Sequence, residues 1–135
     1  MPEPLHVYVV EDSAIVQRLL GSAIEASGAE LSGCSADAAT AIGDVFALQP
    51  DLIVIDIALA SGSGFDVLRA LQEHSLVPEA VKVVLTNHAN PEYESLSRRL
   101  GADRFFDKSL EISQAFALID KLAVEKRTSN AALHH

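Results

Sequence analysis

Leu52-Ile53-Val54-Ile55-Asp56 sets four apolar residues in a row, three of them β-branched, directly before a carboxylate. Pro50 precedes the run and a Gly/Ser-rich segment follows it. A short continuous apolar run with such boundaries predicts a strand buried on both faces. Strands of that kind belong to parallel sheets covered by helices. Asp56 then stands at the C-terminal edge of the strand, the edge outside which open α/β sheets bind their ligands.

The rest of the chain alternates in the same way. Leu5-His6-Val7-Tyr8-Val9-Val10 reads as a strand that ends on Glu11-Asp12. Ser13 is a helix cap, Ile15, Leu19, Leu20, Ala23 and Ile24 recur at helical spacing, and Gly28 stops the helix. Glu30 to Ser35 is a weaker strand with Leu31 and Cys34 as its expected buried positions. Asp37 caps a helix carrying Ala38, Ala41, Ile42, Val45 and Leu48, closed by Pro50. After Asp56, the loop Ser61-Gly62-Ser63-Gly64 leads to a helix with Phe65, Leu68 and Leu71. Val81-Lys82-Val83-Val84-Leu85-Thr86 is a strand ending on a hydroxyl, and Asn90-Pro91 starts a helix, with Tyr93, Leu96 and Leu100 as its apolar side, that Gly101 ends. Arg104-Phe105-Phe106 is a short strand ending near Asp107-Lys108. A last helix is expected from about Glu111, with Ile112, Phe116, Ile119 and Ala123 inward. Strand and helix thus alternate five times, which implies parallel strands, right-handed crossovers and helices on both faces, a doubly wound (βα)5 α/β domain.

Composition closes off other classes. The chain has 135 residues, 49% hydrophobic and 21% charged, which suits one globular domain with a single core. Its net charge of −9 argues against direct nucleic-acid binding and suits cations or a basic partner. No apolar run is long enough for membrane insertion, the first residues lack a secretory n-region, and Cys34 is the one cysteine, so a cytoplasmic location is expected. Residues 1–126 are expected to form the domain and 127–135 a disordered C-terminal tail. His134 and His135 are given no function.

Parallel strands bring their C-terminal ends to one edge. That edge gathers Glu11, Asp12, Asp56, Thr86 and Lys108: three carboxylates, a hydroxyl and an ammonium. Taken singly, each has a plainer role: a helix cap for Asp12, a strand residue for Thr86, a partner of Asp107 for Lys108. As a set they describe a reaction site. Clustered carboxylates repel, and a hard cation relieves the repulsion; Mg²⁺ takes oxygen ligands from one or two carboxylates and completes its shell with water and phosphate oxygens. Glu11 and Asp12 read as the metal-holding pair, with Asp56 bridging. An aspartate beside Mg²⁺ can act as a nucleophile toward phosphorus. Phosphoryl transfer needs positioning and charge neutralisation above all, which Mg²⁺ and Lys108 would supply while Thr86 bonds a phosphoryl oxygen.

Four stretches carry a family resemblance: Val9-Val10-Glu11-Asp12; Ile53-Val54-Ile55-Asp56-Ile57-Ala58-Leu59 with Ser63-Gly64-Phe65-Asp66-Val67-Leu68; Val83-Val84-Leu85-Thr86; and Gly101-Ala102-Asp103-Arg104-Phe105-Phe106-Asp107-Lys108. Over about residues 5–124 the chain resembles a response-regulator receiver domain of two-component signalling, of the stand-alone chemotaxis-regulator type. The resemblance implies a flavodoxin-like sheet of order 2-1-3-4-5. It implies Asp56 as phosphoacceptor from a sensor histidine kinase, a phosphotransfer protein or a small phosphodonor. It also implies Mg²⁺ on Glu11, Asp12, Asp56 and the Ala58 backbone carbonyl. Thr86 and Phe105 are the implied switch residues, although Phe105 also reads as an ordinary core aromatic. The implied output is a protein-binding surface around the fourth helix, fifth strand and fifth helix, with an unspecified output protein and a possible homodimer. On this reading the chain is no turnover enzyme and assists only its own phosphorylation and dephosphorylation.

The chain departs from the family pattern at Ser109, where proline is usual, at Ala60, where proline is common, and at Asn87, where a smaller residue is usual. A cis bond to a non-proline residue costs about 3 kcal/mol, so Lys108–Ser109 is expected to be trans or strained. The alternative function is a constitutive interaction module that keeps the fold without phosphorylation. An aspartyl-phosphate hydrolase of the haloacid dehalogenase type would carry a second aspartate where Ala58 stands. A flavin-binding protein would need a Ser/Thr/Gly-rich phosphate loop after the first strand.

Overall fold

A computed structural model of the chain describes residues 3–133. Five strands, β1 (His6–Val10), β2 (Glu30–Ser35), β3 (Leu52–Ile55), β4 (Val81–Thr86) and β5 (Arg104–Asp107), alternate with five helices: α1 (Ala14–Ala26), α2 (Ala38–Leu48), α3 (Gly64–Glu73), α4 (Pro91–Arg99) and α5 (Lys108–Leu133). The strands form one parallel sheet in the order β2-β1-β3-β4-β5. This is the flavodoxin-like α/β arrangement expected from the alternation and the resemblance.

β3 lies at the centre and is buried on both faces. Ile53 and Ile55 join the core that α2 and α3 cover, with Tyr8, Val10, Ala41, Val45 and Leu68. Leu52 and Val54 join the opposite core, with Val7, Leu20, Ile24, Phe106 and Ile119. The period-two alternation of a strand thus divides one apolar run between two cores. Each such side chain contributes about 1.5–3 kcal/mol by leaving water. Asp51 marks the start of the run: its Oδ2 accepts the His6 N–H at 2.8 Å, and Lys126 Nζ reaches its Oδ1 at 3.4 Å.

Helix starts follow their caps. Ser13 accepts from Val16 N–H, Asp37 from Thr40 N–H and Asn90 from Tyr93 N–H. Ser63 and Asp66 form a reciprocal capping box at α3. Gly28, with φ of 83°, takes the left-handed conformation that ends α1.

Four expectations are corrected. Leu31 and Cys34 of β2 are exposed, because β2 is an edge strand whose register against β1 shifts between Val7 and Tyr8. α5 begins at Lys108 and not near Glu111: Asp107 Oδ1 accepts the Ser109 N–H at 2.8 Å, and Glu111 Oε1 accepts the Asp107 N–H at 2.9 Å, so Asp107 caps the helix. Residues 127–133, expected as a disordered tail, continue α5; no glycine or proline follows Gly101 to stop it, and Arg127 Nη1 donates to the Ser27 carbonyl at 2.9 Å. The expectation for residues 134 and 135 lies outside the described residues. Of α4, it is Ser97 that is fully buried, its hydroxyl bonded to the Tyr93 carbonyl, while Tyr93 stays exposed.

Gly64 opens α3 directly beneath the end of β3. A Cβ there would collide with the Asp56 carbonyl oxygen and stand 2.9 Å from both Ile55 Cγ2 and Ile57 Cα. Gly64→Ala is therefore expected to lose about 2 kcal/mol or more of stability in urea unfolding. A second expectation concerns pH. The buried Tyr8 hydroxyl donates to Asp44 Oδ2 at 2.6 Å, and burial first, then Asp44, pushes its pKa well above the ordinary phenol value. The fold holds this proton more tightly than the unfolded chain, so the stabilisation is complete below about pH 10 and drains as pH rises further. The urea midpoint should fall less steeply between about pH 9 and about pH 11 in Tyr8→Phe than in the parent.

Candidate functional site

The site grows from the sheet register. Val10 pairs with Ile55, so Glu11 and Asp56 leave adjacent strands side by side. Asp56 N–H still donates to the Val10 carbonyl at 2.9 Å, and Glu11 N–H to the Ser35 carbonyl at 2.9 Å, which fixes both backbones. On the other flank Thr86 pairs with Asp107, which places Lys108 just beyond it.

Lys108 spans the gap. Its ammonium donates to Glu11 Oε1 at 2.7 Å and to Asp56 Oδ2 at 2.8 Å, with the three side chains 9%, 2% and 7% exposed. The other carboxylate oxygens are bonded too: Ser13 N–H donates to Glu11 Oε2 at 2.9 Å and Ala58 N–H to Asp56 Oδ1 at 3.3 Å. Burial raises the Glu11 pKa, outweighing the lowering by Lys108 and the Ser13 N–H. For Lys108, burial acts to lower the pKa, but the bonds and charges of Asp56 and Glu11 overcome it and hold the ammonium above its ordinary value. The Lys108 ammonium is thus retained throughout the neutral pH range.

Asp12 is exposed at the mouth of the site. Oxygens of Glu11, Asp12 and Asp56 all lie within 4.8 Å of one another. Three hard oxygen donors at that spacing fit an oxygen-preferring divalent cation such as Mg²⁺. Thr86 is fully buried, and its Oγ1 accepts the His88 N–H at 3.1 Å. Phe105 is half-buried against the core and lines a cleft of about 340 Å³ between the starts of α4 and α5, with Pro91 and Leu110. Among the described residues no peptide bond is cis, so Lys108–Ser109 is trans.

Glu11, Asp12, Asp56 and Lys108 therefore meet in space, Thr86 ends the neighbouring strand, and Phe105 stands off toward the cleft. Sequence reasoning missed Gln17, whose Nε2 donates to the Glu11 carbonyl at 2.6 Å. It also missed the bond from Ser109 Oγ to Asn87 Oδ1 at 3.0 Å. Neither contact has a local signature, since each depends on where separate elements dock.

The family model of the response regulator receiver domain matches residues 7–120. This chain belongs to the response-regulator receiver family. A curated relative, a protein-glutamate methylesterase/protein-glutamine glutaminase of Myxococcus xanthus, is 30% identical over 96% of this chain and 38% of its own length. The KDP operon transcriptional regulatory protein of Escherichia coli is 25% identical over 94% of this chain and 54% of its own length. The chain thus spans between about a third and just over half of these relatives. A CheY-like receiver domain protein from Methanospirillum hungatei superposes with a TM-score of 0.78 at 21% identity, covering 96% of this chain and 99% of that one. The chain is therefore a signalling module of the kind found in two-component response regulators, and among the described residues no helix is long and apolar enough to cross a membrane.

Filling the acidic site should stabilise the receiver. Mg²⁺ at a hundred times its Kd is expected to add about 2.7 kcal/mol to folding stability. Asp12→Asn should lose most of that increment, read as the Mg²⁺-induced rise in melting temperature.

Proposed function

We propose that Asp56 accepts a phosphoryl group and that the receiver thereby switches a protein-binding surface. The observation that carries this is the buried Lys108 ammonium held by both Glu11 and Asp56, with Asp12 completing an acidic trio at the same strand ends. A purely structural ion pair would need one carboxylate, whereas a phosphoryl site needs a nucleophile, metal ligands and a fixed cation together.

In the reaction an Asp56 carboxylate oxygen attacks phosphorus. An O–P bond forms as the donor's N–P bond, or the O–P bond of a small acyl phosphate, breaks, and the leaving group keeps the electron pair. Lys108 loses its bond to Asp56 Oδ2 in favour of the incoming phosphoryl oxygens, so its charge is retained where charge gathers. Glu11, Asp12, Asp56 and the Ala58 carbonyl would hold Mg²⁺, which supplies a second positive charge to the same oxygens. The Thr86 hydroxyl donates to one of them.

A phosphohistidine donor on a sensor kinase or phosphotransfer protein suits the rim of the site. Ile15 and Leu110 are 70% and 81% exposed, and each lies within three residues of a site residue, Asp12 or Lys108. A donor protein that reached Asp56 would cover both side chains. The output surface is the α4–β5–α5 face, where Phe105 and Leu110 line the cleft. Addition of a dianion behind Phe105 would bias that face between two packings. On this reading the domain acts in the cytoplasm, engages no nucleic acid directly, and is free to pair with a second copy through that face. It turns over no separate substrate.

Incubation with acetyl phosphate and Mg²⁺ should add one phosphoryl mass to the protein, visible by intact mass spectrometry. The gain should vanish in Asp56→Asn and without Mg²⁺, and Lys108→Met should slow it by about a hundredfold. Equal modification of Asp56→Asn would sink the proposal, and a partner that binds phosphorylated and unphosphorylated protein equally would favour the constitutive module.

A further inference from the structure

The residue after Thr86 and the residue after Lys108 touch each other. Ser109 Oγ donates to Asn87 Oδ1 at 3.0 Å, joining the segment that leaves β4 to the first turn of α5. Farther out those two segments part, and the cleft of about 340 Å³ opens between Ala89, Asn90 and Pro91 on one side and Leu110 and Glu111 on the other. The bond thus joins the two segments whose next residues flank the cleft.

Each side of the bridge is stiff in itself. Thr86 Oγ1 accepts the His88 N–H at 3.1 Å, which uses the hydroxyl as acceptor and leaves its proton for donation. Ser109 N–H donates to Asp107 Oδ1 at 2.8 Å, and Asp107 N–H to Glu111 Oε1 at 2.9 Å, so the turn that carries Lys108 is tied to α5. What the bridge adds is a fixed relation between the two sides. A phosphoryl group on Asp56 must meet a hydroxyl from one side and an ammonium from the other, and any relative motion has to be frozen out on binding.

We infer that Asn87 and Ser109 form a clasp that holds the Thr86 hydroxyl and the Lys108 ammonium at one spacing, ready to engage the same phosphoryl group. The inference rests on Asp56 being the phosphoacceptor. Asn87 and Ser109 are positioning residues: they act through Thr86 and Lys108. Asn87 directly follows Thr86 and Ser109 directly follows Lys108, so the one bond between them spans both sides of the site.

The test is calorimetric titration of the full chain with beryllofluoride in saturating Mg²⁺. Asn87→Ala and Ser109→Ala should each weaken beryllofluoride binding about threefold, the range of one hydrogen bond. The double variant should be no weaker than either single one, because both remove the same bond. Ser109→Thr, which keeps the hydroxyl, should restore parental affinity. Mg²⁺ affinity without beryllofluoride should stay at the parental value, which general loosening of the loops would not allow. Unchanged or tighter beryllofluoride binding, additive losses, or an equal loss of Mg²⁺ affinity would overturn the clasp while leaving the phosphoacceptor reading intact. If the parent itself fails to bind beryllofluoride, or Asp56→Asn binds it equally well, the phosphoacceptor reading falls and the clasp falls with it.

Discussion

Glu11 and Asp56 are two buried carboxylates that share one ammonium. Neither would tolerate its position without Lys108, since buried ionised groups are kept only when paired and hydrogen-bonded. The three come from just after β1, just after β3 and the start of α5, so the pairing is available only when the sheet is closed in its proper order. The remaining carboxylate oxygens are taken by main-chain N–H groups of Ser13 and Ala58, which locks the acids to the loops that follow them. The fold and the site are therefore held by the same bonds. A charge introduced at Asp56 disturbs the ion pairs of three separate elements at once.

Much of this was legible in the chain because it depends on local pattern. The apolar run before Asp56, the caps at Ser13, Asp37 and Asn90, and the glycine after α1 each declare an element within a few residues. Parallel topology then forces Glu11, Asp12, Asp56, Thr86 and Lys108 to one edge without knowledge of any side-chain conformation. What escaped depends on docking or on competition between neighbours. Leu31 and Cys34 look buried by composition, but strand position decides exposure, and β2 lies at the edge. Asp107 reads equally as a strand end and a helix cap, and Glu111 resolves it by bonding back to the Asp107 N–H. Ser97 is polar and still the most buried residue of α4, because its hydroxyl finds the Tyr93 carbonyl within its own helix.

The departures at Asn87, Ala60 and Ser109 leave all five chemical groups in place. Two of the three meet each other, which no reading of either position alone would suggest. α5 now starts at the residue that bears the ammonium, so Lys108 is anchored by a cap on one side and by two acids on the other. The longest helix of the domain is thereby joined directly to the ion pair.

β3 also has a stop at each end. Its four apolar residues run between Asp51, bonded to the His6 N–H, and Asp56, bonded to Lys108. A slip by one residue in either direction would drag one of these carboxylates into the hydrocarbon interior, at a cost of several kcal/mol. The strand thus works as a ruler with two end-marks, and the Asp56 carboxylate is set to within the 3.3 Å rise of a single residue before any side-chain packing is considered.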